Sequence, residues 1–290
     1  MKTVLVTGAN GQLGKSIYRI AQDYPELDFV FTDVADLDIT NSEAVDVFFQ
    51  SNKMAYCINC AAYTNVDKAE EEVDKAFLIN ATAAKNLAES CRNSRTVFIH
   101  VSTDFVFDGT KKTPYTEEDT PNPLSVYGKS KLKGEAYIQE IWDKHFIVRT
   151  SWLYSEYGNN FVKTMLRLAE TRDEISVVND QIGSPTYAGD LASFLLEIID
   201  KSSKDYGLYH YSNEGSISWY DFAVEIFKQH KKAVRVVSIP TSAYPTAAKR
   251  PAYSVMDLSK ADDSLNLKKS CWEKRLEFYS RIMQIDNENI

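Results

Sequence analysis

The chain has 290 residues, of which 44% are hydrophobic and 26% are charged, a composition typical of a globular protein with a large core. The net charge of −8 argues against a general nucleic-acid-binding protein, which would carry a basic surface. No run of about 18 apolar residues is present to span a membrane, and the run Val4–Val6 is too short for a signal peptide. We therefore expect a cytoplasmic protein.

The first half of the chain alternates short β-branched segments with longer amphipathic ones. We expect helices at residues 11–23, 76–91 and 130–142, and a further helix after Thr40, where Glu43 completes a capping-box pattern. The predicted strands cover residues 2–8, 28–33, 55–62, 96–103 and 145–154. Because these strands are almost continuously apolar, they predict a parallel sheet covered by helices on both faces, an α/β doubly wound fold.

The pattern becomes less regular after about residue 152. Predicted helices at 161–170, 190–199 and 219–230 alternate with short strands at 175–178, 206–212 and 234–239. We expect a dinucleotide-binding domain at 1–151 and a smaller substrate-binding lobe at 152–290, some of whose elements rejoin the main sheet. Cys57 and Cys60 form a C-x-x-C pair without a second pair or a nearby histidine, so we expect buried free thiols.

A glycine-rich turn follows the first predicted strand and opens the first helix. Its spacing is G-x-x-G-x-x-G, which allows a tight turn, close approach of a pyrophosphate and close packing of the helix on the strand. Asp33 ends the second strand, where a carboxylate can bind an adenosine ribose and favours NADH over NADPH. The residues expected to line a dinucleotide are Gly8, Asn10, Gly11, Gln12, Leu13, Gly14, Asp33, Asp38, Ile39, Ala62, Tyr63 and Thr64.

Two further segments supply chemistry for reducing a carbonyl group. Tyr127 and Lys131 are four residues apart at the start of a helix, so they share one face. A cation beside the phenol is expected to lower the pKa of Tyr127 and make it a proton donor. The fourth strand ends in Ser102, Thr103 and Asp104, where a hydroxyl can polarise the carbonyl oxygen. Together with the glycine turn, these features predict a dehydrogenase.

At these residues the chain resembles the extended short-chain dehydrogenase/reductase family. The shared features are TG-x-x-G-x-x-G, the Ser/Thr of strand four and Tyr-x-x-x-Lys. Further segments look like its dTDP-4-dehydrorhamnose reductase subfamily, namely residues 59–70, 101–109, 127–135, 149–166 and 179–192. The resemblance covers nearly the whole chain. It implies a reductase that acts with NADPH or NADH on a nucleotide-sugar substrate. The reductase would belong to dTDP-rhamnose biosynthesis, which contributes to the synthesis of cell-surface polysaccharide.

The resemblance also implies a role for individual residues. Thr103 would bind the C4 oxygen, Tyr127 would protonate it, and Lys131 would hold the nicotinamide ribose and tune Tyr127. Asp104 and Trp152 would contact the deoxysugar. Asn160 and Arg250 are candidate contacts of the substrate diphosphate, and each has a structural role as its alternative.

One departure from the family concerns metal. Some members use glutamates for a magnesium-linked dimer, whereas this chain has Lys15, Ser16 and Gly189 at the corresponding places. We therefore expect no bound metal, and a monomer or a weak homodimer. Two other functions stay open: another nucleotide-sugar 4-ketoreductase or an epimerase of the same family, and a non-catalytic regulatory subunit that binds a dinucleotide.

Overall fold

The computed structural model describes residues 1–265 and 270–288, in which strands and helices alternate along most of the chain. The strands are β1 (Lys2–Thr7), β2 (Leu27–Thr32), β3 (Tyr56–Asn59), β4 (Val97–Thr103), β5 (His145–Thr150), β6 (Leu153–Tyr154), β7 (Glu174–Val178), β8 (Ile182–Gly183), β9 (Thr186–Tyr187), β10 (Gly207–His210), β11 (Ile217–Ser218) and β12 (Arg235–Ile239). The helices are α1 (Gln12–Ile20), α2 (Ser42–Ser51), α3 (Val73–Phe77), α4 (Ala83–Ser94), α5 (Val126–Ile141), α6 (Phe161–Leu168), α7 (Ala188–Asp200), α8 (Trp219–Gln229), α9 (Ser259–Leu265) and α10 (Trp272–Glu288).

The main sheet has six strands in the order β10-β5-β4-β3-β1-β2. Every neighbouring pair in it is parallel. The chain starts in the interior at β1, moves outward to β2 and then returns to the other side of β1 at β3. This reversal opens a crevice at the carboxyl ends of β1 and β3, the usual ligand site of such sheets. The predicted doubly wound parallel sheet is confirmed.

Side chains alternate between the two faces of the sheet, as the period of a β-strand requires. On β1, Val4 and Val6 pack with Leu13 and Ile17 of α1 and with the apolar face of α7. Leu5, between them, packs on the opposite face in the cluster that includes α2, α4 and α5. The strands are therefore apolar along their whole length because both faces are buried.

The start of α2 differs from the predicted capping box. Asn41 caps this helix, with its side chain accepting a hydrogen bond from the Ala44 N–H at 3.1 Å. The Thr40 hydroxyl instead donates to Asp38 Oδ1 at 2.7 Å. The prediction was one residue early because Asn and Thr are both good caps and stand next to each other.

The second half adds three two-stranded pairs, β7 with β12, β6 with β9 and β8 with β11. Their core is an aromatic cluster that includes Tyr154, Phe222 and Trp272. Two elements of this half lie with the main sheet, since β10 pairs with β5 and α7 packs on α1. The division between residues 151 and 152 stays a prediction. Within the described ranges, no helix has the length and apolar character needed to cross a membrane.

Candidate active site

A cavity of about 940 Å³ lies along the carboxyl ends of the parallel strands, near the upper end of the volumes usual for ligand pockets. One end is lined by Asp33, Asp38 and Ile39, and the other by Trp152 and Trp219. Fourteen predicted site residues line it: Gly8, Gly11, Gln12, Leu13, Asp33, Asp38, Ile39, Ala62, Thr64, Thr103, Asp104, Tyr127, Lys131 and Trp152. Residues separated by more than 140 positions are thus brought to one crevice.

The glycine turn forms the floor of the cavity at the start of α1. Gly8 has a φ of +66°, and a Cβ there would lie 2.6 Å from the Ala61 nitrogen, so only glycine fits. A Cβ added at Gly11 would have one close neighbour, the Gly8 carbonyl oxygen at 3.2 Å. Gly11 is the N-cap residue of α1 and has no side chain to accept from the first N–H groups of the helix. Those amides can therefore bind an anion. This open space over unpaired amides fits a dinucleotide pyrophosphate.

Asp33 closes the other side of this turn. Its Oδ2 accepts a hydrogen bond from the Asn10 N–H at 2.9 Å, and its Oδ1 accepts one from the Val34 N–H at 2.8 Å. These bonds fix the carboxylate at the cavity wall, where it can accept from ribose hydroxyls. The same negative charge would repel a ribose phosphate, which is the physical basis for a preference for NADH.

Thr103 and Tyr127 meet on the rim of the sheet. The Thr103 hydroxyl lies close to the Tyr127 phenol and acts to lower the pKa of that phenol. The approach depends on Gly128, because a Cβ there would lie 2.2 Å from the Phe105 oxygen and push α5 away from the end of β4. The two residues on which the predicted chemistry depends are therefore neighbours, and both line the cavity.

The ionisation of Tyr127 differs from the expectation. Burial raises the pKa of Tyr127 to about 12, with the nearby Asp104 charge acting in the same direction. The expected lowering by Lys131 is wrong for this arrangement, because Lys131 Nζ donates to the Val101 carbonyl at 2.7 Å and lies 3.2 Å from His100 Nε2. The four-residue spacing put both side chains on one face of α5 but could not give the direction of the flexible lysine.

Asp104 is buried at the wall of the cavity with one oxygen unpartnered. Its Oδ1 accepts from the Thr103 hydroxyl at 3.2 Å. Its Oδ2 has no partner among the described residues. Burial raises the pKa of Asp104 to about 6. A buried carboxyl oxygen left free at a cavity wall is suited to bind a ligand hydroxyl.

Trp152 is held as a rigid wall at the far end of the cavity. Its backbone has a φ of +48°, a conformation costly for a bulky residue and often found at functional sites. Its ring stacks on Trp219, with centroids 3.4 Å apart. A Cβ on Gly183 would lie 2.5 Å from the Trp152 ring, so glycine is needed there. Neither Trp219 nor Gly183 was predicted from the sequence as a site residue.

Two buried polar groups that sequence reasoning missed hold the cavity walls. Asn80 lies in a π-helical turn, Leu78–Thr82, between α3 and α4, and accepts from the Tyr63 N–H at 2.8 Å while donating to the Tyr63 carbonyl. Glu135 on α5 forms a buried ion pair with Arg149 on β5, with oxygen and nitrogen 2.6 Å apart. The only sequence signals were an arginine inside an apolar strand and a glutamate one turn after Lys131.

Five predicted site residues lie outside the cavity lining. Asn10 and Gly14 belong to the turn itself, and the Tyr63 hydroxyl donates to Glu72 at 2.9 Å. Asn160 caps α6 through the Lys163 N–H and donates to Gln12 Oε1. Arg250 forms a bidentate pair with Asp67, at 2.6 and 3.1 Å. Asn160 and Arg250 therefore make structural contacts in this structure, and their contact with the substrate diphosphate stays a prediction.

The chain is similar to known proteins over nearly its whole length. The family model described as the RmlD substrate binding domain matches residues 1–284. A dTDP-4-dehydrorhamnose reductase of Aggregatibacter actinomycetemcomitans is 45% identical over 287 residues, covering 96% of this chain and 98% of that protein. The Bacillus subtilis spore coat polysaccharide biosynthesis protein SpsK is 39% identical over 279 residues, covering 96% of this chain and 97% of that protein.

Solved structures show the same similarity in three dimensions. A dTDP-4-dehydrorhamnose reductase from Clostridium acetobutylicum superposes with a TM-score of 0.94 at 46% identity, covering 97% of this chain and 99% of that one. The Bacillus anthracis enzyme of the same name, solved in complex with NADP, has a TM-score of 0.91 at 44% identity, covering 96% and 99%.

Proposed function

The chain belongs to the RmlD substrate-binding-domain family, and on this basis we propose that it reduces the 4-keto group of dTDP-4-dehydro-L-rhamnose to give dTDP-L-rhamnose, with NADPH or NADH as reductant. The observation that carries the proposal is the contact between Thr103 and Tyr127 in the cavity that begins at the glycine turn. Relatives that share 36–45% of their residues with this chain over most of its length bear the name of this reductase.

Different residues of the chain bind different parts of the cofactor. Gly11 leaves room for the pyrophosphate beside the first amides of α1. Asp33, Asp38 and Ile39 line the adenosine end. When bound, the reduced nicotinamide supplies the hydride for C4 of the sugar.

Thr103 and Tyr127 act on the sugar oxygen. As negative charge develops on O4, both hydroxyls donate hydrogen bonds to it, and Tyr127 transfers its proton. The raised pKa of Tyr127 keeps the phenol protonated near neutral pH, so the proton is in place before the reaction begins. Lys131, four residues along the same helix, also lines the cavity, and it contacts the nicotinamide ribose once its Nζ leaves the Val101 carbonyl.

The other residues of the far end orient the sugar. Asp104 Oδ2, which has no partner among the described residues, accepts a hydrogen bond from a sugar hydroxyl. Trp152, fixed by its stack on Trp219, packs against an apolar face of the deoxysugar. Both contacts hold C4 in one position, which is how an enzyme turns binding energy into rate.

Cofactor oxidation tests the proposal. The purified protein is mixed with a panel of nucleotide-linked 4-keto sugars and either NADPH or NADH, and the loss of reduced-nicotinamide absorbance is measured. We expect one equivalent of cofactor to be consumed per dTDP-4-dehydro-L-rhamnose. An epimerase would convert the sugar without net consumption, and a regulatory subunit would bind the cofactor without product. Either result would contradict the proposal.

The same experiment measures the cofactor preference. Asp33 favours NADH by its charge, whereas a relative 44% identical to this chain was solved with NADP, so the proposal includes both. We also propose a cytoplasmic monomer or weak homodimer that needs no metal. In the part of the chain that the structure describes, no three His, Cys, Asp or Glu side chains are grouped to hold a metal ion.

A further inference from the structure

Lys75 is a cation of the cavity that has no role in the proposed reaction so far. The substrate carries a diphosphate, and a cation that donates hydrogen bonds to phosphate oxygens binds such a group strongly. Among the described residues that line the cavity, the charged side chains are three carboxylates and two ammonium groups, namely Asp33, Asp38, Asp104, Lys75 and Lys131. Within the described chain, the lining therefore offers these two lysines as cationic partners of a diphosphate.

The other cations near the substrate end are held by partners of their own. Lys131 is 2% exposed, and its Nζ donates to the Val101 carbonyl at 2.7 Å. Arg250 donates two hydrogen bonds to Asp67 and lies outside the lining. A diphosphate would have to displace these partners before it could pair with either side chain.

Lys75 is held more loosely than these two residues. Its side chain is 59% exposed, and its Nζ lies 3.5 Å from Glu72 Oε2. Glu72 has closer partners, since Lys68 Nζ lies 2.7 Å from its Oε1 and the Tyr63 hydroxyl donates to its Oε2 at 2.9 Å. Hydrogen bonds from these two residues are the main reason that the pKa of Glu72 falls to about 2. Glu72 therefore stays ionised and paired when Lys75 turns to a ligand.

The helix that carries Lys75 lies beside the reaction site. α3 packs against α5, and Ile79 belongs to the same apolar cluster as Tyr127. Lys75 and Ile79 are four residues apart, as neighbours on one helical face are, and both line the cavity. β3 and β4 are parallel, so the helix between them starts at the carboxyl edge of the sheet and runs back along it. Lys75 therefore lies one turn closer to the rim of the sheet than Ile79.

The chemistry of the substrate places its diphosphate on the same side. In the pyranose ring, the diphosphate is attached at C1, opposite C4. When C4 is held at Tyr127, C1 and its diphosphate lie farther from that residue, and the open direction is outward, toward the level of Lys75.

We propose that Lys75 is a specificity-determining residue, which leaves Glu72 when substrate binds and pairs with the diphosphate of the nucleotide sugar. This inference rests on the proposed function, because it names the group that binds one part of the same substrate. Glu72 is a positioning residue in this arrangement, since it holds the Lys75 ammonium at the cavity before the substrate enters.

The phosphates of the cofactor are the other anions that enter the cavity. Its pyrophosphate is placed at the first amides of α1, beside Gly11. The 2′-phosphate of NADPH belongs to the adenosine end, which Asp33 and Asp38 line. Lys75 lies instead on the helix that packs against α5, so the substrate diphosphate is the anion that it meets. Binding of NADPH is the comparison that separates these two sources of phosphate.

Isothermal titration calorimetry with dTDP and, separately, with NADPH tests the inference without catalysis. Lys75→Met should raise the Kd of dTDP at least about tenfold, the effect of losing one hydrogen bond to a charged group, and leave the Kd of NADPH within about twofold. Lys68→Met is the matched control, because it removes the same charge from the same carboxylate and Lys68 lies outside the lining. Both Kd values should stay within about twofold of normal in this control. Lys75→Arg, which keeps the charge, should recover most of the dTDP affinity.

Two further titrations give results that a purely structural role of Lys75 would not produce. Glu72→Gln removes the carboxylate that competes for Lys75, so dTDP should bind about two- to threefold more tightly. Raising the salt concentration to about 0.5 M should reduce the difference between Lys75→Met and the unmodified protein, since salt screens an exposed charge. The inference is overturned if the unmodified protein does not bind dTDP, if Lys75→Met binds dTDP normally, if Lys68→Met weakens dTDP binding equally, or if Lys75→Met weakens NADPH binding alone.

Steady-state kinetics connects Lys75 to the reaction. In Lys75→Met the KM of the 4-keto sugar should rise at least about tenfold while kcat stays within about twofold, because the diphosphate is bound equally before and during hydride transfer. A lower kcat with a normal KM would contradict the inference. If the unmodified protein reduces no 4-keto sugar at all, the proposed function fails, whereas the dTDP titrations still decide the role of Lys75.

Discussion

Replacement of Asp104 by asparagine should stabilise the fold at pH 7 although it removes a proposed substrate contact. Asp104 is 2% exposed, and burial raises its pKa from 3.8 to about 6. Between these values the folded protein holds more protons than the unfolded chain, so the free energy of unfolding falls as the pH rises through that window. The difference of about two units amounts to roughly 3 kcal/mol at pH 7 and to under about 1 kcal/mol near pH 4. An uncharged amide side chain at this position would avoid this cost.

Urea unfolding at pH 7 and near pH 4 measures the effect. Asp104→Asn should be more stable than the unmodified protein at pH 7, with most of the gain lost near pH 4. Asp108→Asn is a matched control of opposite sign. Hydrogen bonds from the Thr110 backbone and hydroxyl lower the pKa of Asp108 to about 2, so its carboxylate stabilises the fold above pH 4 and this contribution is lost as the pH falls toward 2. A loss of stability in Asp104→Asn at pH 7, or a gain that does not change with pH, would refute the reasoning.

Three further substitutions test the cavity walls. Gly11→Ala should weaken NADPH binding at least about tenfold in a fluorescence titration with little change in Tm, because its Cβ has one close protein neighbour; unchanged affinity would remove Gly11 from the cofactor site. Gly183→Ala should lower the free energy of unfolding by about 1–3 kcal/mol and raise the KM of the sugar more than the Kd of the cofactor, because the added methyl group displaces Trp152. A normal KM for the sugar would contradict that role. Glu135→Gln should lower the free energy of unfolding by about 3–5 kcal/mol, because it leaves Arg149 buried and unpaired. In a double-mutant cycle, replacement of both residues by methionine should recover most of that free energy. If the double variant is no more stable than the single variant, the loss of the ion pair is not the cause of the destabilisation.

The alternating strands and helices could be predicted because both depend on local sequence. Apolar strands between amphipathic segments permit little besides a parallel sheet covered on both faces. Parallel strands end at one edge, so Thr103 at the end of β4 and Ala62 after β3 could be placed near the glycine turn. The position of Tyr127 near the same edge could also be predicted, because Tyr127 lies at the start of the helix that follows β4.

Contacts between distant residues could not be predicted in the same way. Trp152 meets Trp219, and Arg250 meets Asp67, across separations that no spacing rule covers. The direction of the pKa shift of Tyr127 was predicted wrongly because it depends on burial, which the spacing to Lys131 does not reveal.

The histidine next to Lys131 was missed for a related reason. His100 lies in a segment whose other residues are mostly apolar, where a polar residue looks like part of the core. Its partner Asn59 lies on the neighbouring strand, directly opposite it in the register of β3 and β4. A polar residue at the same level of two adjacent buried strands is a signal of a buried hydrogen-bonded network, but it can be used only once the strand order is known.

The contact between Thr103 and Tyr127 is the central claim, and the turnover of Tyr127→Phe tests it most directly. Stopped-flow absorbance would follow NADPH oxidation with dTDP-4-dehydro-L-rhamnose, beside Tyr137→Phe, which changes a tyrosine ten positions further along α5. We predict that Tyr127→Phe reacts at least about 100-fold more slowly while it binds NADPH with an affinity within a few-fold of normal, and that Tyr137→Phe reacts at the normal rate. Turnover of Tyr127→Phe close to that of the unmodified protein would contradict the account.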